Sequence, residues 1–184
     1  VLGINDAPVG RNDEGVIAEG STLTVVNGAN ANETNDTGST YNATGEHTGD
    51  VIDTSLAGSK DSDADASASL RVSKIKLSGG TNSDVNNNTT YNGTGSSAGT
   101  SVTGTYGTLT IGSDGSYKYV ADQAAADSIA ASEQQDDTFV YTMTDGTEDV
   151  TANITITVLG ENDNPTAQND VGVVNEGSTL TVQN

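Results

Sequence analysis

Apolar and polar residues alternate in six short runs along the chain: Ser21–Val26 (STLTVV), Ser69–Leu77 (SLRVSKIKL), Tyr106–Ile111 (YGTLTI), Ser116–Val120 (SYKYV), Thr138–Thr144 (TFVYTMT) and Asn153–Leu159 (NITITVL). A period of two places every second side chain on one face, the pattern of a half-buried strand. Gly, Asn or Asp bounds each run, and Gly112-Ser113-Asp114-Gly115 predicts a hairpin, because Asp-Gly accommodates the positive φ of a tight turn. Strands at close spacing with no β-α-β alternation predict an all-β fold, an antiparallel sandwich. Only Asp122–Ser132 (DQAAADSIAAS) has helix-like composition, and its length suits a short connection. Asn27–Gly49 and Ser78–Thr105 are dominated by Gly, Asn, Ser and Thr, and predict long loops with edge strands where Thr, Tyr and Val occur.

The chain also repeats itself. Residues 1–27, VLGINDAPVGRNDEGVIAEGSTLTVVN, align without a gap on residues 158–184, VLGENDNPTAQNDVGVVNEGSTLTVQN, with 18 of 27 positions identical at an offset of 157. That periodicity marks a tandem array. It divides the chain into a junction with a preceding repeat (1–10), one full repeat (11–160), and a linker with the opening strands of the next repeat (161–184). That last segment is too short to bury a core. It is expected either to extend as the opening strands of an unfinished neighbour, free to pair with another molecule, or to replace the N-terminal copy in a split arrangement.

Composition narrows the function. Asp and Glu number 26 against 6 Lys and Arg, a formal charge of −20 at pH 7. So few basic residues offer no counterion-releasing face to nucleic acid and no polybasic face to an anionic membrane. Leu, Ile, Val and Phe make up 34 of 184 residues, below the roughly 20% under which a highly charged chain stays disordered. No cysteine is present, so stabilisation must come from something other than disulfides. No run of 18 apolar residues occurs, and residues 1–20 carry no basic start followed by an apolar stretch. The chain reads as a segment of a longer protein.

Carboxylates recur at spacings suited to a hard cation, and oxygen ligands alone select Ca²⁺. Asp61-Ser62-Asp63-Ala64-Asp65 holds three at alternate positions, which point to one side if extended or wrap a cation if looped; a solvated acidic loop is the plain alternative. Glu161-Asn162-Asp163-Asn164-Pro165 follows the last strand, and Asn5-Asp6-Ala7-Pro8 is its counterpart at the front. Their recurrence at the repeat boundary favours a cation between domains over an Asx-rich turn. Glu19-Gly20, its copy Glu176-Gly177, and Asp145-Gly146 are turns that can be drawn with the junction to one end of the sandwich. Neighbouring acidic loops repel without a cation and are crosslinked by one. The one histidine, His47, lies in the Gly-rich stretch Thr44–Asp50 with no Ser or Asp motif around it, so the chain is read as a non-enzyme.

Tyr106–Pro165, with GTL, DGSY-Y, a D-F-Y-TDG stretch and a terminal V-G-NDxP in that order, closely resembles the VCBS-type repeat of large bacterial surface proteins. NDAPV, EGSTLTV and DxDxD extend the resemblance over most of the chain outside the two polar stretches. It implies an Ig-like or cadherin-like sandwich binding Ca²⁺ within and between repeats. By position it implies ligands from Glu19, Asp63, Asp65, Asp145, Glu161, Asn162, Asp163 and Asn164, with Asn5 and Asp6 serving the preceding junction and Glu176 the following repeat. LAGSKDSDAD at 56–65 departs from the family's LANDxDADGD: the Asp near Gly58 and the Gly after the last Asp are missing. Such repeats occur in RTX adhesins that type I systems of Gram-negative bacteria secrete to the cell surface. The implied function is a calcium-rigidified extender, monomeric, with neighbouring repeats as partners, that projects distal binding domains for cell adhesion and biofilm formation. The alternative is a calcium-dependent carbohydrate- or cell-surface-binding module, with the long polar segments and Tyr41, Tyr91 and Tyr106 presented to glycans.

Overall fold

The computed structural model describes residues 4–27, 50–52, 61–65 and 68–182. It is an all-β chain whose described strands form two sheets. The strands are β1 (Asp13–Ala18), β2 (Thr22–Val25), β3 (Arg71–Leu77), β4 (Ser83–Asp84), β5 (Thr100–Thr103), β6 (Thr108–Ile111), β7 (Tyr117–Val120), β8 (Gln134–Thr144) and β9 (Asp149–Leu159). One sheet has the order β1-β9-β8-β3-β4 and the other β2-β7-β6-β5. All six alternating runs contain a strand. The predicted hairpin joins β6 to β7, with Gly115 at φ +89°.

The alternation explains what is buried. β9 turns Ala152, Ile154, Ile156 and Val158 inward, and β8 turns Phe139, Tyr141 and Met143 inward. Leu23, Val25, Leu109, Ile111, Tyr117 and Tyr119 come from the facing sheet, and all belong to one apolar cluster. Tyr119 and Phe139 meet edge to face across the two sheets, with ring centroids 6.1 Å apart.

The purely antiparallel expectation is corrected at one seam. β1 runs parallel to β9, Asp13 opposite Ile154 and Ala18 opposite Leu159. A parallel neighbour needs a long connection, and here nearly the whole repeat lies between the two strands. Asp122–Ser132 is a series of turns that connects β7 to β8 and buries Ala126 and Ile129. Its hydrogen bonds run from residue i+3 to i, Ala126 to Gln123 and Ile129 to Ala126, so a helical ladder is never propagated.

The polar stretch Ser78–Thr105 supplies edge strands as expected, β4 on one sheet and β5 on the other. Hydroxyls secure it where apolar residues are scarce. The Ser113 N–H donates to Thr89 Oγ1 at 2.9 Å and the Thr89 N–H to Ser113 Oγ at 3.0 Å, with Thr89 fully buried. The other polar stretch, from residue 28 to 49, lies outside the described residues, and with it Tyr41 and His47.

Residues 161–182 contain no strand and are exposed. Their equivalents at 13–25 hold the seats beside β9 and β7. Of the two expected arrangements the split one is therefore overturned: the tail does not replace the N-terminal copy, and it pairs with no strand of this sandwich.

Candidate functional site

Three segments distant in sequence converge where β9 begins. The entering chain is stitched to the acidic loop by an isolated bridge: Val9 N–H donates to Ser62 O at 2.7 Å and Ser62 N–H to Val9 O at 3.1 Å. The Asp6 N–H donates to Asp65 Oδ2 at 2.9 Å, and Asn5 Nδ2 to Asp145 Oδ2 at 2.9 Å. Asn5, Asp6, Asp63, Asp65 and Asp145 thus gather at the front pole of the sandwich.

Each is placed by short-range chemistry. Asp145 Oδ1 accepts the N–H groups of Thr147 at 2.6 Å and Glu148 at 2.8 Å, closing the β8–β9 turn. The Glu148 and Thr147 N–H groups, with Asn5, hold its carboxyl below the ordinary aspartate range. The Asp65 N–H donates to Asp63 Oδ1 at 2.7 Å, so Asp61–Asp65 takes the looped of its two expected forms. Asp63 Oδ2 is buried with no hydrogen-bond partner among the described residues.

Asp61 turns away from this group. It is buried, and its carboxylate accepts Arg11 N–H at 2.6 Å and the Tyr141 hydroxyl at 3.1 Å. The Tyr141 hydroxyl also lies 3.2 Å from Asp13 Oδ2, 2.8 Å from Arg11 O and 3.3 Å from Val51 O. One proton thus faces four acceptors, two of them carboxylates. Burial, opposed by the Arg11 and Tyr141 hydrogen bonds, pushes the Asp61 carboxyl up to about 6. Its place is beneath the front pole, where it ties the loop to β8. Asp13 and Tyr141 were not among the sequence candidates. Their signal is weak: Asp13 occupies a core-facing position that strand patterning assigns to apolar residues.

Glu19 does not join the front pole, contrary to the expectation that it would lie with Asp145 at one end. The register puts Asp145 before the first residue of β9 and Glu19 beside its last, because Ala18 pairs with Leu159 and Glu19 N–H donates to Leu159 O at 2.9 Å. β9 has eleven residues, so at the usual rise it separates the two by roughly 30 Å. The parallel seam causes this. Glu19 is 9% exposed, and its Oε2 is buried without a partner among the described residues.

Just past this rear pole run Glu161, Asn162, Asp163 and Asn164, all exposed, with Glu176 farther along the tail. Asn162 Nδ2 donates to Asp163 O at 3.3 Å, the same bond at the same length that Asn5 makes to Asp6 O. The Glu-Gly turns also match: Gly20 has φ +67° and Gly177 +78°, and Ser21 and Ser178 donate to Ala18 O and Asn175 O. Local sequence therefore sets both motifs, with or without a sandwich behind them.

Among the described residues no group of three or more His, Cys, Asp or Glu side chains is arranged to hold a metal ion. The candidate ligands of one repeat are split between its two ends. No protein-family model matches the chain, and no curated protein matches it.

Proposed function

We propose that this chain is one repeat of a calcium-stiffened array, an Ig-like or cadherin-like extender in a large surface adhesin. The observation that carries this reading is the pairing of poles. Asn5 and Asp6 are bonded to Asp145 and Asp65 at the front, and their repeat equivalents Asn162 and Asp163 follow shortly after Leu159, whose carbonyl Glu19 N–H bonds at the rear. In an array, the rear of one repeat meets the front of the next through this linker.

The donor set suits Ca²⁺ because all its groups are carboxylate, amide or backbone oxygens. Two buried carboxylate oxygens without partners among the described residues, Asp63 Oδ2 and Glu19 Oε2, one at each pole, are what a cation would compensate. Asp6, Asp63, Asp65 and Asp145 with Asn5 would hold the ion from the front side. Glu19, Glu161 and Asp163 with Asn162 and Asn164 would hold it from the rear. When bound, the ion supplies positive charge that turns repulsion between acidic loops into a crosslink. Asp61 braces the loop through Tyr141 and Arg11, and Asp145 fixes the turn that faces Asn5.

The resemblance to VCBS-type repeats supports placing the array on a Gram-negative cell surface, exported by a type I system, with adhesion and biofilm formation as the role of the parent protein. Neighbouring repeats are the partners. Calorimetric unfolding in calcium and in chelator tests the reading. Ligand at 100 times its dissociation constant adds about 3 kcal/mol, an upward shift of about 5–10 °C for a repeat of this size. An unchanged midpoint overturns it.

A further inference from the structure

On the outer face of the β1-containing sheet, beside the front pole, lies a polar groove of about 500 Å³. One wall is the loop after β4, with Asn86 and Asn87; the other is the β8–β9 turn, with Thr147; the floor is β3, with Arg71 and Lys74. Its size is that of a small-molecule site, but its lining is polar.

The floor owes its chemistry to an irregularity. The β3–β8 register slips between Val72 and Lys74. In an unbroken strand Val72 and Lys74 share a face. Here the inserted Ser73 leaves Val72 and Ile75 fully buried, so Arg71 and Lys74 both line the outer groove. Bulges of this kind re-aim side chains at functional sites. Both walls are braced. Thr89 Oγ1 donates to Asn86 O at 2.7 Å and Val85 N–H to Ser73 O at 2.9 Å, while Thr144 Oγ1 donates to Glu148 O at 2.9 Å.

The charges in the groove specify the ligand. Lys74 pairs with Asp149 at 3.6 Å. Arg71 has no hydrogen bond or ion pair among the described residues, in a chain with 26 acidic side chains. A guanidinium left open is a fork that matches one carboxylate. With Asp149 engaged by Lys74 and Asp84 also in the lining, the groove offers one open guanidinium rather than a cluster of cations, which suits one carboxylate group and disfavours phosphate dianions. The same carboxylates accept hydroxyl protons, and the Asn86 and Asn87 amides and Thr147 hydroxyl complete a lining suited to vicinal hydroxyls.

We infer that this groove binds a carboxylate-bearing sugar residue, with Arg71 on the carboxylate and Asn86, Asn87 and Asp84 on the hydroxyls. This goes beyond the extender role and does not depend on it.

The test is amide chemical-shift titration of the isotope-labelled chain with three probes, a hyaluronan tetrasaccharide, an oligogalacturonate and sialyllactose, against neutral chitotetraose and sodium sulfate. Saturable shifts at 71–74 and 86–87 with at least one acidic probe, and about tenfold weaker binding of chitotetraose and sulfate, are expected. Arg71→Ala weakens binding about tenfold or more, Arg71→Lys less, and Lys118→Ala on the other sheet not at all. Because Arg71 has no described partner, Arg71→Ala leaves the melting temperature within about 2 °C, which separates lost recognition from lost fold. No binding by any of the three acidic probes, equal binding of chitotetraose or sulfate, or undiminished binding by Arg71→Ala overturns the proposal.

Discussion

The Tyr119 hydroxyl donates to the Asp137 carboxylate at 2.7 Å, joining β7 in one sheet to β8 in the other. Asp137 is 1% exposed and also accepts the N–H groups of Thr105 at 2.8 Å, Tyr106 at 3.0 Å and Gly107 at 3.1 Å. A carboxylate with four donors is satisfied without a counter-cation, and it fixes the β5–β6 turn against the core. Tyr106 is therefore tied into this clamp by its backbone.

Asp137→Asn puts an amide NH₂ where backbone N–H groups already point, leaving buried donors unpaired. A loss of about 3 kcal/mol is expected. Urea unfolding with the slope held in common measures it, and a loss under about 1 kcal/mol would refute the clamp.

Two tyrosines adjacent on one face of β7 should respond to the same substitution with opposite signs. Tyr119→Phe removes a donor to Asp137 and costs about 1 kcal/mol. The Tyr117 hydroxyl is fully buried with no partner among the described residues, so Tyr117→Phe removes an unmet desolvation cost and stabilises by about 1 kcal/mol. Denaturant midpoints of the two variants, compared with the parent, decide it.

Burial raises the phenol of Tyr117 above its ordinary range, as do Asp13 and Asp50; burial and the Asp137 hydrogen bond do so for Tyr119. The folded chain then keeps these protons where the unfolded chain releases them. These two phenols leave stability unchanged below about pH 10 and lower it above, by about 3 kcal/mol per pH unit together. Ultraviolet titration should show at least two of the six tyrosines ionising only with unfolding.

The strands of the core were legible because Leu23, Leu109, Tyr119, Phe139 and Ile154 keep the period of two. β1 was not, because its inward positions are Asp13, Gly15 and Ile17, and only the last is a large apolar residue. Asp137 was missed for a related reason: it stands in the core-facing phase of β8 as a polar residue. At the front pole, Asp63, Asp65 and Asp145 are placed by local turns, which short-range sequence can encode. The place of Glu19 depends on a parallel pairing across some 140 residues of chain, which no local pattern encodes.

Val171 and Val173 are 89% and 85% exposed, and they correspond to Glu14 and Val16 of β1 in the repeat alignment. The tail adds no strand to this sandwich, so deleting residues 165–184 should move the melting temperature by less than about 2 °C. Deleting residues 1–12, which carry the Val9–Ser62 bridge and the Arg11 donor to Asp61, should lower it clearly. Equal effects of the two deletions would contradict the asymmetry.

Glu19→Gln distinguishes a cation ligand from a structural glutamate. Its Oε2 is buried and unpartnered among the described residues, so in chelator the neutral variant should be at least as stable as the parent. In calcium the order should reverse, because a neutral amide oxygen is a poorer ligand for a hard cation than a carboxylate. A tandem of two repeats, melted in both conditions, gives four midpoints. The calcium-dependent gain should shrink in the variant while the chelator midpoint holds or rises. Small-angle scattering of the same tandem should show it extended with calcium and variable in length without, and Glu19→Gln should need more calcium to extend. A variant that loses stability equally in both conditions would make Glu19 a fold residue and remove the rear pole from the junction.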